Sequence, residues 1–255
     1  MATPYLILTD SLGTPYSFPA SLFLADDSSQ MRSSIQDLVY AHGGKQVADG
    51  FVAPRKVSIT GDFYADSGVA FETAWRALVK AIFKGGKLTI FSDTVPRYIE
   101  VANPAIDSEW EHWPNFKRLT ITFNAAFPFW VDETELNPHD HMAGAGNMSP
   151  LDLTASEHIV LPTIEIAADQ GANLPSIRLT NPNDSGKTLR YDNPAFLIGS
   201  TLIINAGDGT IKLNGNDAIE YFVSGAFLRL QPKVNTIAYV GNACTITVKY
   251  RRLYL

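Results

Sequence analysis

Cysteine is nearly missing from this sequence. Cys244 stands alone among 255 residues, so no internal disulfide can staple the fold and stability has to come from buried surface. Set in the strand-like run Ala243-Cys244-Thr245-Ile246, it reads as a small core residue; the alternative, a nucleophile, would need a base beside it. Long apolar runs are missing too. None approaches the ~20 residues of a membrane span, and the N-terminal Met-Ala-Thr-Pro-Tyr lacks the basic and apolar regions of a signal peptide. The expectation is a soluble product made in the cytoplasm, with no membrane partner. Charge is sparse, at 18% of residues, and it is not basic. The net value is −6, with 11 Lys+Arg against 13 Asp+Glu in residues 1–130 and 9 against 13 in 131–255. That balance excludes a protein that grips nucleic acid by its phosphates, although an acidic surface is compatible with DNA sliding past it. Nucleophile elbow, phosphate loop, paired-cysteine zinc site and Rossmann fingerprint are all absent.

What is present is β-forming. Hydrophobic residues make up 45% and aromatics 11%, with 18 Gly and 15 Pro, a mixture that suits short strands and many turns. The length allows one large domain or two of ordinary size. Residues 116–131 carry the clearest signal: Leu119, Ile121 and Phe123 alternate with Arg118, Thr120 and Thr122, as in a half-buried strand. The stretch then runs into Phe127-Pro128-Phe129-Trp130, where proline removes a ladder donor and stops the strand. Phe127, Phe129 and Trp130 read as packing between this domain and its neighbours.

Upstream, residues 5–24 read as a hairpin around Asp10–Pro15, and 25–50 as an unusually long polar connection of the kind that often contacts something else. Residues 51–64 alternate again, with Val57 and Ile59 on one face. One helix is expected over 68–84. Ser67 caps it, Phe71, Trp75, Leu78 and Ile82 form one apolar stripe, Gly85-Gly86 ends it, and Lys80 and Lys84 suit its dipole. Strands at 87–91 and 97–102 follow. Residues 132–151, with Asn137-Pro138 and Ala143-Gly144-Ala145-Gly146, read as a linker. Beyond it strand-like runs recur at 159–167, 176–180, 188–191, 201–205, 210–213, 219–223, 226–230, 235–240 and 244–250. Turn signals such as Gly207-Asp208-Gly209 and Asn214-Gly215 separate them.

Few residues invite a chemical reading. His139-Asp140-His141 would put two histidines on one face of a strand, but H-x-H without a distant third ligand is weak, and a solvated loop is the plainer reading. Gly207-Asp208-Gly209-Thr210 lacks the helix that a nucleotide loop needs and reads as a hairpin turn. Glu109 and Glu111 have no spaced carboxylate partner for glycoside hydrolysis. Trp110-Glu111-His112-Trp113-Pro114 is either a sugar-stacking platform or, preferably, a hairpin tip with packed indoles. No catalytic, cofactor-binding or metal residue is assigned, and no cofactor is expected.

Three blocks resemble the distal tail proteins (Dit family) of long-tailed phages. Pro54–Gly61 looks like the strand ending in glycine before that family's helix; the helix and its two following strands come in order; and Lys117–Trp130 looks like its closing strand. In the C-terminal half, Thr201–Asn205, Lys212–Gly215, Leu228–Ile237 and Thr245–Tyr250 resemble the family's sandwich, with a departure at Pro232-Lys233-Val234-Asn235, where glycine usually follows the proline. The resemblance implies a mainly β chain. An N-terminal β-barrel or sandwich-like ring domain with one flanking α-helix would occupy 1–131, and an antiparallel β-sandwich of galectin or jelly-roll type 152–255. It implies no enzyme, but a virion protein of the tail tip, assembled in the host cytoplasm. Six copies would form a ring joining the tail tube to the tail hub and to receptor-binding or fibre proteins, with genome DNA passing unbound through the bore. The polar segment 25–50 is the candidate arm to an adjacent subunit. A carbohydrate-binding β-sandwich module for host-surface attachment is the alternative.

Overall fold

The computed structural model describes residues 5–26, 31–37, 44–91, 95–110 and 115–255. The chain packs into two compact units that change over in sequence between Glu133 and Thr134. Among the described residues no helix is long and apolar enough to cross a membrane.

In the first unit, β1 (Tyr5–Thr9) buries Leu6 and Leu8 and returns as β2 (Pro15–Ser17). The turn is held by Asp10, whose Oδ1 accepts from the Leu12 and Thr14 amides, an Asx-type device that substitutes for ladder bonds. β3 (Leu22–Asp26) follows, then β4 (Met31–Asp37) and β5 (Gly44–Val52), which pair with each other in a separate two-stranded ribbon. The segment 25–50, expected as a long connection, is thus largely a hairpin. β6 (Arg55–Tyr64), α1 (Gly68–Ile82), β7 (Gly86–Phe91), β8 (Arg97–Trp110), β9 (Phe116–Ala125) and β10 (Trp130–Asp132) complete the unit.

The sheet runs β2-β1-β7-β8-β9-β6-β3, antiparallel at every step, with β10 also on β8. β8 belongs to both halves. Residues 97–101 pair with β7 and residues 102–110 with β9, and the register slips between Ala102 and Ala105, where Asn103 has φ 50°. A bulge of this kind bends a strand and lets one sheet turn a corner. Leu88, Ile99, Leu119, Ile121, Phe123, Val57, Ile59 and Phe63 fill the interior.

Helix α1 starts as the sequence predicts, with Ser67 Oγ accepting from the Ala70 amide. Phe71, Leu78 and Ile82 are buried; Trp75 is partly exposed and meets Phe63 edge-on at 5.8 Å between centroids, under the Lys117 ammonium. The helix ends at Ile82 rather than 84. Gly85 and Gly86 take φ +62° and +127°, and a Cβ at Gly86 would lie 2.2 Å from the Thr9 carbonyl oxygen, so only glycine lets β7 start this close to β1. Lys84, expected to serve the helix dipole, instead pairs with Asp10 on the β1–β2 turn.

The second unit is a sandwich of two antiparallel sheets. Its strands are β11 (His139–Met142), β12 (Gly146–Asn147), β13 (Leu151–Asp152), β14 (Thr163–Ala167), β15 (Ser176–Asn181), β16 (Lys187–Asp192), β17 (Thr201–Asn205), β18 (Thr210–Leu213), β19 (Asn216–Asp217), β20 (Phe222–Gly225), β21 (Val234–Asn235), β22 (Ala238–Val240) and β23 (Cys244–Lys249), with a short β24 (Leu253–Tyr254) outside its sheets. One sheet runs β11-β23-β14-β17-β18-β19 and the other β12-β22-β15-β16-β20, with β13 and β21 as a separate pair. Ile164, Ile166, Leu202, Ile204, Ile246 and Val248 from the first sheet join Ile177, Leu179, Leu189, Tyr191 and Tyr239 from the second in one core.

Three expectations need correction here. Residues 132–151 are not a free linker: they supply β11, β12 and β13, because Met142, Met148 and Leu151 are buried in the sandwich core. Residues 219–223 begin as a 3-10 turn, Ile219–Tyr221, before β20. Residues 226–230 form no strand beyond a single bridge from Leu230 to Val160. The two glycine turns behave as predicted. Gly207-Asp208-Gly209 links β17 to β18, and Asn214-Gly215, with φ 49° and 82°, makes the two-residue turn into β19.

Candidate functional site

The surfaces that stand out are faces and edges rather than a pocket with catalytic groups. On β6 and β9, the positions between the buried ones carry a ladder of hydroxyls. Ser58 Oγ lies 3.2 Å from Thr122 Oγ1, and Thr60 Oγ1 lies 3.0 Å from Thr120 Oγ1 while donating to the Leu119 carbonyl at 3.1 Å. These are directly opposite cross-strand pairs, the places where side chains on one face meet. Asp62 and Arg118 continue the row as an exposed ion pair at 3.3 Å, and Asp107 and Glu109 of β8 stand beside Thr120 and Arg118. With Lys56 and Arg118 against three carboxylates, the face is hydrated and slightly acidic, with nothing built to hold phosphate.

Where β8 turns its corner, an open groove of about 740 Å³ is lined by Asp10, Pro54, Gly86, Val101, Asn103 and Phe127 among others. It exists because three chain reversals converge on the bulge: the β1–β2 turn, the helix-to-β7 glycines and the end of β9. Of the aromatic-proline cluster, Phe129 and Trp130 are buried as packing residues, whereas Phe127 is 49% exposed and stands edge-on to Phe129 at 5.3 Å. Phe127 therefore forms an apolar wall of the groove.

Asp10 is the most strongly perturbed carboxylate of this unit. The Lys84 ammonium first, then the Thr14 and Leu12 amides, hold its acid form down to about 2, against a smaller opposing push from burial. The arrangement pins the β1–β2 turn to the end of α1.

His139 and His141 sit on edge strand β11, with both rings exposed and 6.0 Å apart. The solvated-loop reading is thus replaced by a paired strand. The reason is that Met142, one position on, is buried in the core and fixes the register against β23. Asp140 is already occupied by the Ser149 amide and hydroxyl, each at 2.7 Å. His141 Nδ1 lies 2.8 Å from Thr245 Oγ1, which donates to the Asp169 carboxylate. Among the described residues, no group of three or more His, Cys, Asp and Glu is placed to hold a metal ion. Cys244 is fully buried, and that burial pushes its thiol pKa up, which suits a core residue and not a thiolate nucleophile. Glu111, His112, Trp113 and Pro114, with the side chain of Trp110, lie outside the described residues.

One polar constellation was missed from the sequence. Asn235 is fully buried; its Oδ1 accepts from the Gln231 amide at 2.9 Å and from Asn181 Nδ2 at 3.2 Å, and its Nδ2 donates to the Gln231 and Lys233 carbonyls at 2.8 and 2.7 Å. Asn181, also buried, reaches the Arg229 carbonyl at 2.6 Å. The signal was there: Asn235 shares its inward alternation with Ile237 and Tyr239, and Asn181 with Ile177 and Leu179. A buried amide at such a place has to satisfy all its bonds. It also accounts for the proline turn that lacks the expected glycine, since Asn235 closes that turn with its own side chain.

The comparisons with known proteins agree with this geometry. Residues 156–254 match the family model described as "Siphovirus-type tail component, C-terminal domain". No curated protein matches the chain in sequence. Among solved structures, the SPP1 Dit (gp 19.1) protein, described as a paradigm of the hub adsorption apparatus in phages infecting Gram-positive bacteria, superposes with a TM-score of 0.70 at 12% identity, over 98% of this chain and 99% of that one. The baseplate of phage P2 in its activated conformation with Ca gives a TM-score of 0.47 at 12% identity, over 98% of each chain. Residues 156–254 are thus similar to the C-terminal domain of siphovirus-type tail components, and the chain has the fold of the SPP1 Dit protein.

Proposed function

We propose that this protein is a structural component of a phage tail tip, with no catalytic step of its own. Six copies close into a ring that joins the tail tube to the tail hub and the receptor-binding or fibre proteins. The supporting observation is the end-to-end correspondence with the SPP1 Dit protein, which runs through both units and not the sandwich alone. In this reading the protein is assembled in the host cytoplasm and resides in the virion at the tail tip. The first unit forms the ring. Its sheet ends on β2 and β3, strand edges of the kind that neighbouring subunits commonly cover. The hydroxyl ladder with its acidic neighbours faces the bore, where DNA must slide without being held. The β4–β5 ribbon is the arm to the adjacent subunit.

The test is the mass in solution. A species of roughly six times 27.9 kDa by light scattering or native mass spectrometry is expected, forming alone or on addition of the tail tube protein. A chain that stays monomeric in both cases and binds glycans would replace this reading with the carbohydrate-binding module. Deleting residues 31–52 is expected to abolish the ring while leaving both units folded; an unchanged ring would remove the arm from the scheme.

A further inference from the structure

The outer face of the five-stranded sheet contains a local conflict. Arg178 on β15 and Arg190 on β16 are direct cross-strand partners, and both are exposed. Cross-strand partners have Cβ atoms about 5 Å apart, and like charges placed so are destabilising. Only one carboxylate serves the pair. Arg190 Nη2 binds Asp192 Oδ2 at 2.6 Å, and Asp192 is itself held by Ser176 Oγ at 2.6 Å. Arg178 makes no ion pair or hydrogen bond through its side chain among the described residues. Its other lateral neighbour is Val240 of β22, a valine 49% exposed. Along the face, Thr180 and Thr188 hydrogen-bond to each other at 3.1 Å, and Ser224 of β20 stands beside Arg190. The result is a patch with two arginines, apolar and hydroxyl neighbours and an excess positive charge, on a chain whose net charge is −6.

We propose that this face docks an acidic protein segment, whose carboxylate takes the free fork of Arg178 and spans toward Arg190. The chemistry favours a protein carboxylate over a polyanionic polymer. A planar guanidinium recognises a planar carboxylate in bidentate fashion, and arginine is among the residues enriched where protein partners meet. The inference rests on the second unit alone and stands whether or not the first unit closes a ring.

The experiment uses the full chain with hexa-L-glutamate as probe, followed by calorimetry or fluorescence anisotropy at low salt, with hexametaphosphate and heparin in parallel. Binding of the glutamate peptide is expected to weaken at least tenfold in Arg178→Gln and to be lost in Arg178→Glu, with Arg178→Lys in between because it keeps charge but not the fork. Thermal melts of the same variants give a separate readout. Arg178→Glu is expected to melt at or above the temperature of the parent, because it places a carboxylate opposite Arg190. Glutamate binding indifferent to Arg178 would overturn the proposal, and so would Arg178-dependent binding of phosphate or sulfated polymer tighter than that of the peptide. A lowered melting temperature for Arg178→Glu would assign Arg178 to the fold instead.

Discussion

Asn235 shows how one side chain can hold a turn that has the wrong residue for it. Its amide accepts from the Gln231 amide and donates to the Gln231 and Lys233 carbonyls, tying the turn from within. Asn235→Ala would strand the Gln231 amide, two carbonyls and one Asn181 proton in the interior. A loss of about 3 kcal/mol is expected, measured by urea unfolding of the second unit. Asn235→Asp should do no better, because a carboxylate oxygen would then face the Gln231 and Lys233 carbonyls. Asp10 supplies a pH-dependent counterpart. Its folded-state pKa is depressed to about 2 from the ordinary 3.8, chiefly by Lys84. Its contribution is therefore complete above about pH 4 and is lost as pH falls toward 2. Acid titration of the first unit, followed by tryptophan fluorescence, should show a steeper loss across that window in the parent than in Asp10→Asn.

Among the elements, α1 and β7 differ in what their boundaries cost. The N-cap of α1 is one exposed hydrogen bond from Ala70 to Ser67, so Ser67→Ala should destabilise by about 1 kcal/mol. The start of β7 is different, because Gly86 combines a φ reserved for glycine with backbone contact to Thr9. Gly86→Ala should cost at least about 2 kcal/mol and loosen β7 from β1, which thermal melts and amide exchange of Leu88 would report. β8 is the element on which the first unit turns. Without its bulge the halves on β7 and β9 would be one flatter sheet, and the groove beside Phe127 would not form.

For the whole molecule, the two units bring separate cores and separate probes. All four tryptophans, Trp75, Trp110, Trp113 and Trp130, precede Glu133, while the lone thiol, Cys244, is fully buried in the sandwich. Tryptophan fluorescence and thiol labelling in increasing denaturant should give different midpoints if each core unfolds by itself. Coincident midpoints would mean one cooperative block.

Local pattern made much of this legible in advance. The helix with its cap, the strand Phe116–Ala125, the strands Thr201–Asn205 and Thr210–Leu213 and the Asn214-Gly215 turn follow from periodicity and turn chemistry, which act between near neighbours in the chain. The strands within 132–151 did not, because two- to four-residue strands have no pattern of their own and form only when β21, β22 and β23 offer them an edge. Asn235 and Asn181 were visible as polar residues in inward positions, but their being partners depends on contacts 54 residues apart. Arg178 and Arg190 look like ordinary surface charges until register sets them side by side. Near-neighbour physics thus determined the helix, most of the longer strands and the β class from sequence alone. The bend in β8, the closed amide pair and the opposed arginines are long-range pairings, and those only the tertiary structure could decide.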